Sequence, residues 1–206
     1  MKVDIYVAQS EHTVYAEAIS KQVYESAQAR GTGIAERSPE YIVKKIIEGK
    51  AVIAIAKDGD FAGFSYIESW SHSEFVANSG LIVAPKYRNT GLARAIKFRI
   101  FNLSRTLYPQ AKVFSITTGL AVMKLNYELG YRPVTFAQLT TDPEFWEGCN
   151  GCKNIDILKR NDYRMCLCTA LLYDPQALQS ATSAIKATAP VPPSMEDVTT
   201  IEISNL

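Results

Sequence analysis

Leu81-Ile82-Val83-Ala84-Pro85-Lys86-Tyr87-Arg88-Asn89-Thr90-Gly91-Leu92-Ala93-Arg94 decides the fold. A β-rich run enters a proline-bearing turn and leaves it as an amphipathic helix, with Leu92, Ile96, Ile100, Leu103 and Leu107 at helical spacing. The first N–H groups of a helix lack intrahelical partners and sit at the positive end of its dipole, so backbone alone makes an anion site there. Gly91 and Ala93 keep bulk away from those amides, and Arg88 adds a full positive charge. Dinucleotide and nucleoside-triphosphate loops need G-x-G-x-x-G, or Lys-Ser/Thr after the second glycine. Neither occurs here.

Outward from this segment, Val3–Val7 alternates as a strand, and Val14–Arg30 carries Tyr15, Ala18, Ile19, Val23 and Ala27 at helical spacing. Ser38-Pro39 opens a second helix with Ile42, Val43, Ile46 and Ile47 as its expected buried stripe. Asp58-Gly59-Asp60 joins strands Ala51–Lys57 and Phe61–Trp70 as a hairpin. Phe75–Val83 is the strand before the central segment. Beyond the helix, Lys112–Thr117 reads as a strand, Ala121–Leu129 as a helix, and Tyr131–Leu139 and Met165–Tyr173 as strands. The order βααβββαβαβ predicts an α/β fold, a mixed sheet covered by helices on both faces.

The central segment resembles the signature of the GNAT superfamily of acyl-CoA-dependent N-acyltransferases, V-x-P-x-Y-R-x-x-G-x-G/A. Val83, Pro85, Tyr87, Arg88, Gly91 and Ala93 fill its positions. The resemblance runs from about Val3 to Leu139 and implies the GNAT fold, with a mostly antiparallel sheet of six to seven strands. It implies that acetyl-CoA, or another short acyl-CoA, lies where Phe75–Val83 parts from Lys112–Thr117. Leu81, Ile82 and Val83 would pair with the pantetheine arm, and Arg88, Asn89, Thr90, Gly91, Leu92 and Ala93 would hold the diphosphate. A primary amine of a small molecule then attacks the thioester directly.

Two proton transfers accompany that attack. The resemblance implies a carboxylate, or a water held by polar groups, near the strand before the signature; Glu74 is the first candidate, with Glu68 next and His72 behind them. The departing thiolate is commonly protonated by a tyrosine in the helix before an L-G-F/Y turn. Aligned on Leu129-Gly130-Tyr131, that position falls on Asn126, with Tyr127 one step and about 100° around the helix. Gly119 stands where many relatives carry an asparagine for pantetheine. A thiol pKa near about 8.5 makes the thiolate a tolerable leaving group without an acid. A GNAT-like module that binds acyl-CoA without turning it over is the alternative function.

Cys149, Cys152, Cys166 and Cys168 give four thiols within the C-terminal third. As a four-thiolate set they would hold a structural zinc ion; as small strand and turn residues they would be core. The stretch Phe145–Cys149 together with Cys166–Pro175 also resembles a bacterial GNAT subgroup of arginine biosynthesis, which implies glutamate as acceptor and opens succinyl-CoA as donor. Arg132, Arg160 and Arg164 are the cations that could read its carboxylate.

Three segments follow from composition: 1–140 as the acyltransferase domain, 141–175 as a Cys-containing extension, and 176–206 as an Ala/Ser/Thr/Pro-rich tail whose last residues could add an edge strand. With 22 Lys+Arg against 21 Asp+Glu and no long basic run, the chain lacks the charge pattern of a nucleic-acid partner. The longest aliphatic run, Ala51–Ala56, is far short of a membrane span, and the start has no signal-like apolar region. A cytoplasmic location is the resulting expectation, and a homodimer stays open.

Overall fold

A computed structural model describes residues 2–30, 37–177 and 198–202. The strands are β1 (Lys2–Val7), β2 (Ala51–Ala56), β3 (Phe61–Trp70), β4 (Phe75–Val83), β5 (Lys112–Thr117), β6 (Arg132–Val134), β7 (Thr169–Tyr173) and β8 (Val198–Glu202). The helices are α1 (Ala16–Arg30), α2 (Pro39–Ile47), α3 (Leu92–Leu107), α4 (Leu120–Glu128), α5 (Pro143–Glu147) and α6 (Ile155–Arg160). The strands form one sheet of eight in the order β6-β7-β5-β4-β3-β2-β1-β8. That exceeds the six to seven expected, because Val198–Glu202 pairs antiparallel with β1. Among the described strands, β4 and β5 form the parallel pair.

Alternation sends the side chains of each strand to two faces. On one face Val3, Val52, Ala54, Ile67, Val76 and Val113 meet Leu92, Ile96, Ile100 and Leu103 of α3. Each of those four α3 residues is buried, and each such burial contributes about 2 kcal/mol relative to exposure. The opposite face carries two separate layers. Ile19 and Val23 of α1 and Ile42 and Ile46 of α2 cover Ile53, Phe64, Tyr66 and Ile82. Phe136, Leu139, Trp146 and Leu158 cover Phe75, Ala77, Phe114 and Ala170.

The N-cap reading of α2 holds, since Ser38 Oγ accepts from the Tyr41 amide at 3.3 Å. Its stripe differs from expectation: Ile47 is 60% exposed, while Lys45 is buried and reaches Glu68. Val14 and Tyr15 lie in a 3-10 turn, Ser10–Tyr15, ahead of α1. The strand expected over 131–139 shortens to Arg132–Val134, where Pro133 offers no N–H to a ladder, and Phe136–Gln138 closes into a 3-10 turn. The strand expected from Met165 begins only at Thr169, which leaves Cys166 and Cys168 in the loop before β7. Of the Ala/Ser/Thr/Pro-rich tail, residues 178–197 and 203–206 lie outside the described residues.

Candidate active site

The turn between β4 and α3 is built to leave amides open. Pro85–Tyr87 makes one 3-10 turn whose buried Tyr87 anchors it to the core. Asn89 and Gly91 take left-handed φ of 62° and 83°. Such a φ favours glycine, and at the helix start Gly91 offers no side chain to cap the first amides. A Cβ at Gly91 would meet nothing within 4 Å, so the space in front of α3 is open. The first turn of α3 contains no acidic residue to occupy it. Arg88 stays exposed beside this turn, braced by its Nε–H donating to the Val83 carbonyl at 3.1 Å. Thr90 Oγ1 donates to the Tyr87 carbonyl at 2.7 Å and tightens the bend.

A cleft begins where the two parallel strands stop pairing. β4 meets β5 only through Phe75, Val76 and Ala77 against Lys112, Val113 and Phe114. Past Ala77 the strands part, while β4 continues to pair with β3 as far as Val83. The β5-facing edge of residues 78–83 therefore has no strand partner among the described residues. Gly80 bulges within this stretch at φ 63°, and the β3–β4 register slips there. Its place against Tyr66 admits no side chain, since a Cβ would come within 2.8 Å of Tyr66 Cδ1.

Asn126 of α4 is 0% exposed. Neither of its side-chain amide atoms has a hydrogen-bond partner. A buried amide left this way is costly unless a ligand satisfies it. Tyr127 is instead half exposed and outside the core. Glu74 sits at the closed end of the β4–β5 pair, 60% exposed and 3.7 Å from Lys112 Nζ. It lies about 16 Å along the strand from Ser79. His72 is exposed in the turn before it.

Glu68 has a different setting. It projects from β3 on the same face as Tyr66, opposite the small Ala77. Its Oε2 accepts from Lys45 Nζ at 2.8 Å, and its buried Oε1 has no partner. Burial pushes its carboxyl up to about 7, against the pull of the Arg37 charge. Burial likewise lowers Lys45, and the short contact opposes both shifts by favouring the ionised pair. Arg37 donates its Nε–H to Tyr66 Oη at 2.6 Å and lies over the Tyr41 ring.

Against solved structures, the chain is similar to N-acetylglutamate synthase from Neisseria gonorrhoeae complexed with coenzyme A and N-acetyl-glutamate. There the TM-score is 0.58 at 18% identity, over 84% of this chain but 35% of that one. It is similar to Rv2747 from Mycobacterium tuberculosis in complex with CoA, at TM-score 0.58 and 18% identity over 82% of this chain and 98% of that one. A GNAT-family acetyltransferase from Staphylococcus aureus matches at TM-score 0.56 and 10% identity, over 84% of this chain and 99% of that one.

This is the GNAT fold. No protein-family profile matches the sequence, and no curated protein does.

Within the GNAT sheet, the face under α3 holds a buried polar knot at the start of the cleft. Asn78 Oδ1 accepts from Lys97 Nζ at 3.4 Å and from Tyr131 Oη at 3.2 Å, and Asn78 Nδ2 donates to Ser104 at 2.7 Å. Full burial pushes the Lys97 ammonium down to about 7.

The zinc expectation finds no support in the arrangement. The four cysteines are free thiols in one region of the C-terminal layer. Among the described residues no group of three or more His, Cys, Asp or Glu side chains is disposed to hold a metal ion. Burial, then the neighbouring thiols, pushes Cys149 up to about 11 and Cys168 up to about 12. Arg132 is exposed, Arg160 pairs with Asp156, and Arg164 lines a separate cavity of about 920 Å³ with Trp146 and Tyr163. No helix among the described residues is long and apolar enough to cross a membrane.

The spacing arguments passed over Arg37, Lys45 and Tyr66. The only legible signal was period two in β3, which sets Tyr66 and Glu68 on one face.

Proposed function

We propose that this protein is an N-acyltransferase that moves an acetyl or other short acyl group from acyl-CoA directly to a primary amine of a small molecule. The observation that carries the reading is the pairing of an open helix start at Gly91–Ala93 with the cleft that begins past Ala77. The amides of α3 and the Arg88 cation receive the diphosphate. The unpaired edge of Leu81, Ile82 and Val83 receives pantetheine as an added strand, and an N–H beside the Gly80 bulge polarises the thioester carbonyl. The acceptor nitrogen, as the free amine, attacks the carbonyl carbon and gives up its extra proton to solvent. The C–S bond breaks with its electron pair on sulfur, next to the buried amide of Asn126, whose N–H₂ can donate to a thiolate though it cannot protonate one. Solvent then supplies the thiol proton. Tyr127 is left on the outer side of α4 in this arrangement.

The resemblance noted for Phe145–Cys149 and Cys166–Pro175 favours an amino acid such as glutamate among acceptors. An N-acetylglutamate synthase stands among the similar structures. A binder that does not turn over acyl-CoA is the second reading, supported by the absence of a tyrosine at position 126.

Titration with CoA and acyl-CoA, followed by acceptor-dependent thiol release, tests the proposal. Arg88→Ala should weaken CoA binding about fivefold to tenfold, with the loss shrinking as salt rises. Affinity for CoA with no acceptor-dependent thiol across amines would favour the binder. No affinity for CoA would end both readings.

A further inference from the structure

We infer that the acyl group of the donor ends in a carboxylate, held where β4 and β5 part by Lys97 together with Asn78, Ser115 and Tyr131. This rests on the acyl-CoA placement above and adds the charge at the far end of the donor, which sets its specificity.

The face of the sheet under α3 changes polarity where the ladder ends. Val76 pairs in register with Val113, and both are fully buried under α3. Ala77 and Phe114 form the last pair and turn to the opposite face. The next position on each strand, Asn78 and Ser115, returns to the α3 face as the strands separate. Both are buried and polar. An apolar floor therefore gives way to a polar one at the head of the cleft.

Lys97 reaches this point from α3. It is 1% exposed, its Nζ donates to Asn78 Oδ1 at 3.4 Å, and it lies 5.3 Å from the centroid of the Tyr131 ring. An ammonium carries three N–H donors, and that one long contact engages a single one of them. Among the described residues no carboxylate pairs with it, and burial alone lowers its affinity for a proton. Its neighbours are already matched to one another. Tyr131 Oη donates to Asn78 Oδ1, Asn78 Nδ2 donates to Ser104 Oγ at 2.7 Å, and Ser104 Oγ donates to the Ile100 carbonyl at 2.9 Å. A buried cation without a counter-charge is costly, and an apolar side chain would fill the same space without that cost. An anion delivered by the ligand offsets it.

Direction selects which part of the ligand arrives there. With the diphosphate at the start of α3 and pantetheine along Val83, Ile82 and Leu81, the thioester carbonyl lies beside Gly80. The acyl chain then runs on toward Asn78, away from the phosphates. Gly80 and Asn78 are two residues apart, roughly 7 Å along the strand. A carboxylate about two or three carbons beyond the thioester carbonyl approaches that level, with Lys97 reaching toward it, whereas an acetyl methyl stops short. There it accepts a charge-assisted hydrogen bond from Lys97, with the Ser115 hydroxyl on the facing strand.

The test titrates the full chain with CoA, acetyl-CoA, butyryl-CoA and succinyl-CoA before any acceptor is added, and repeats this with Lys97→Met and Lys97→Gln. Butyryl and succinyl chains have the same number of carbons and differ in the terminal carboxylate. The wild type should bind succinyl-CoA about tenfold more tightly than butyryl-CoA, or better. Both variants should lose that margin, and in Lys97→Met the order should reverse. Thiol release with an amine acceptor should follow the same order in kcat/KM. Because the margin is a ratio within one protein, a change in stability does not imitate it. Equal affinity of the wild type for the two donors, a preference for the uncharged one, or a margin that survives in Lys97→Met overturns the inference while CoA binding stands. A wild type with no affinity for CoA or its thioesters instead removes the acyl-transfer reading itself.

Discussion

The Tyr66 ring occupies the space that a side chain at Gly80 would need, because Gly80 bulges out of β4 toward β3 at φ 63°. Ring and bulge therefore fix one another: the left-handed backbone is tolerated without a Cβ, and the aromatic face fills what the missing side chain leaves.

Gly80→Ala should cost about 1–3 kcal/mol, from the left-handed φ and from displacement of a buried ring. Denaturant unfolding reads the stability, and turnover should fall more than CoA affinity because the α3 start is untouched. A variant as stable and as active as the wild type would show that the bulge has no such role.

Asn126 separates stability from function. Its amide is buried with no partner, so replacing it by a similarly sized apolar residue removes an unsatisfied group. Asn126→Leu should match or exceed the wild type in unfolding midpoint while losing about tenfold in kcat. A loss of stability without a loss of turnover would make Asn126 a packing residue only.

Lys97 makes folding depend on pH. Its pKa is pushed down to about 7 in the folded protein, against about 10.4 in an unfolded chain. Between those values the unfolded state binds more protons, so stability rises with pH across this window. Below pH 7 the lysine is charged in both states and its burial cost is fully present. Lys97→Met should therefore stabilise the protein most at pH 6 to 7, with the gain fading toward pH 10. Tyr131 still donates to Asn78 in the variant, which keeps that acceptor satisfied. Chemical unfolding at three pH values checks the trend.

Much of the fold was legible because its signals are local. Leu92, Ile96, Ile100 and Leu103 point to one face by spacing alone and are buried under the sheet, while Leu107, the fifth of that series, lies at the helix end and is 44% exposed. Asp58-Gly59 turns the β2–β3 hairpin as its type requires. The misreadings fall where a distant partner overrides a local pattern. Ile47 has the right spacing for the α2 stripe, yet Lys45 is the buried residue because Glu68 draws it in from β3. Cys166 and Cys168 alternate as on a strand, but the ladder with β5 begins only at Thr169.

By itself the sequence determined the order of elements and the turn at Gly91 that opens α3, since helix starts, turns and periodicity are decided by neighbours in the chain. Only the tertiary structure decided which carboxylate is buried. Glu74 and Glu68 differ by six positions and look equivalent as text. Strand pairing sends one to solvent at the closed end of β4–β5 and buries the other beside Lys45 and Arg37, because burial and charge environment depend on register and on layers contributed by residues far apart in the chain.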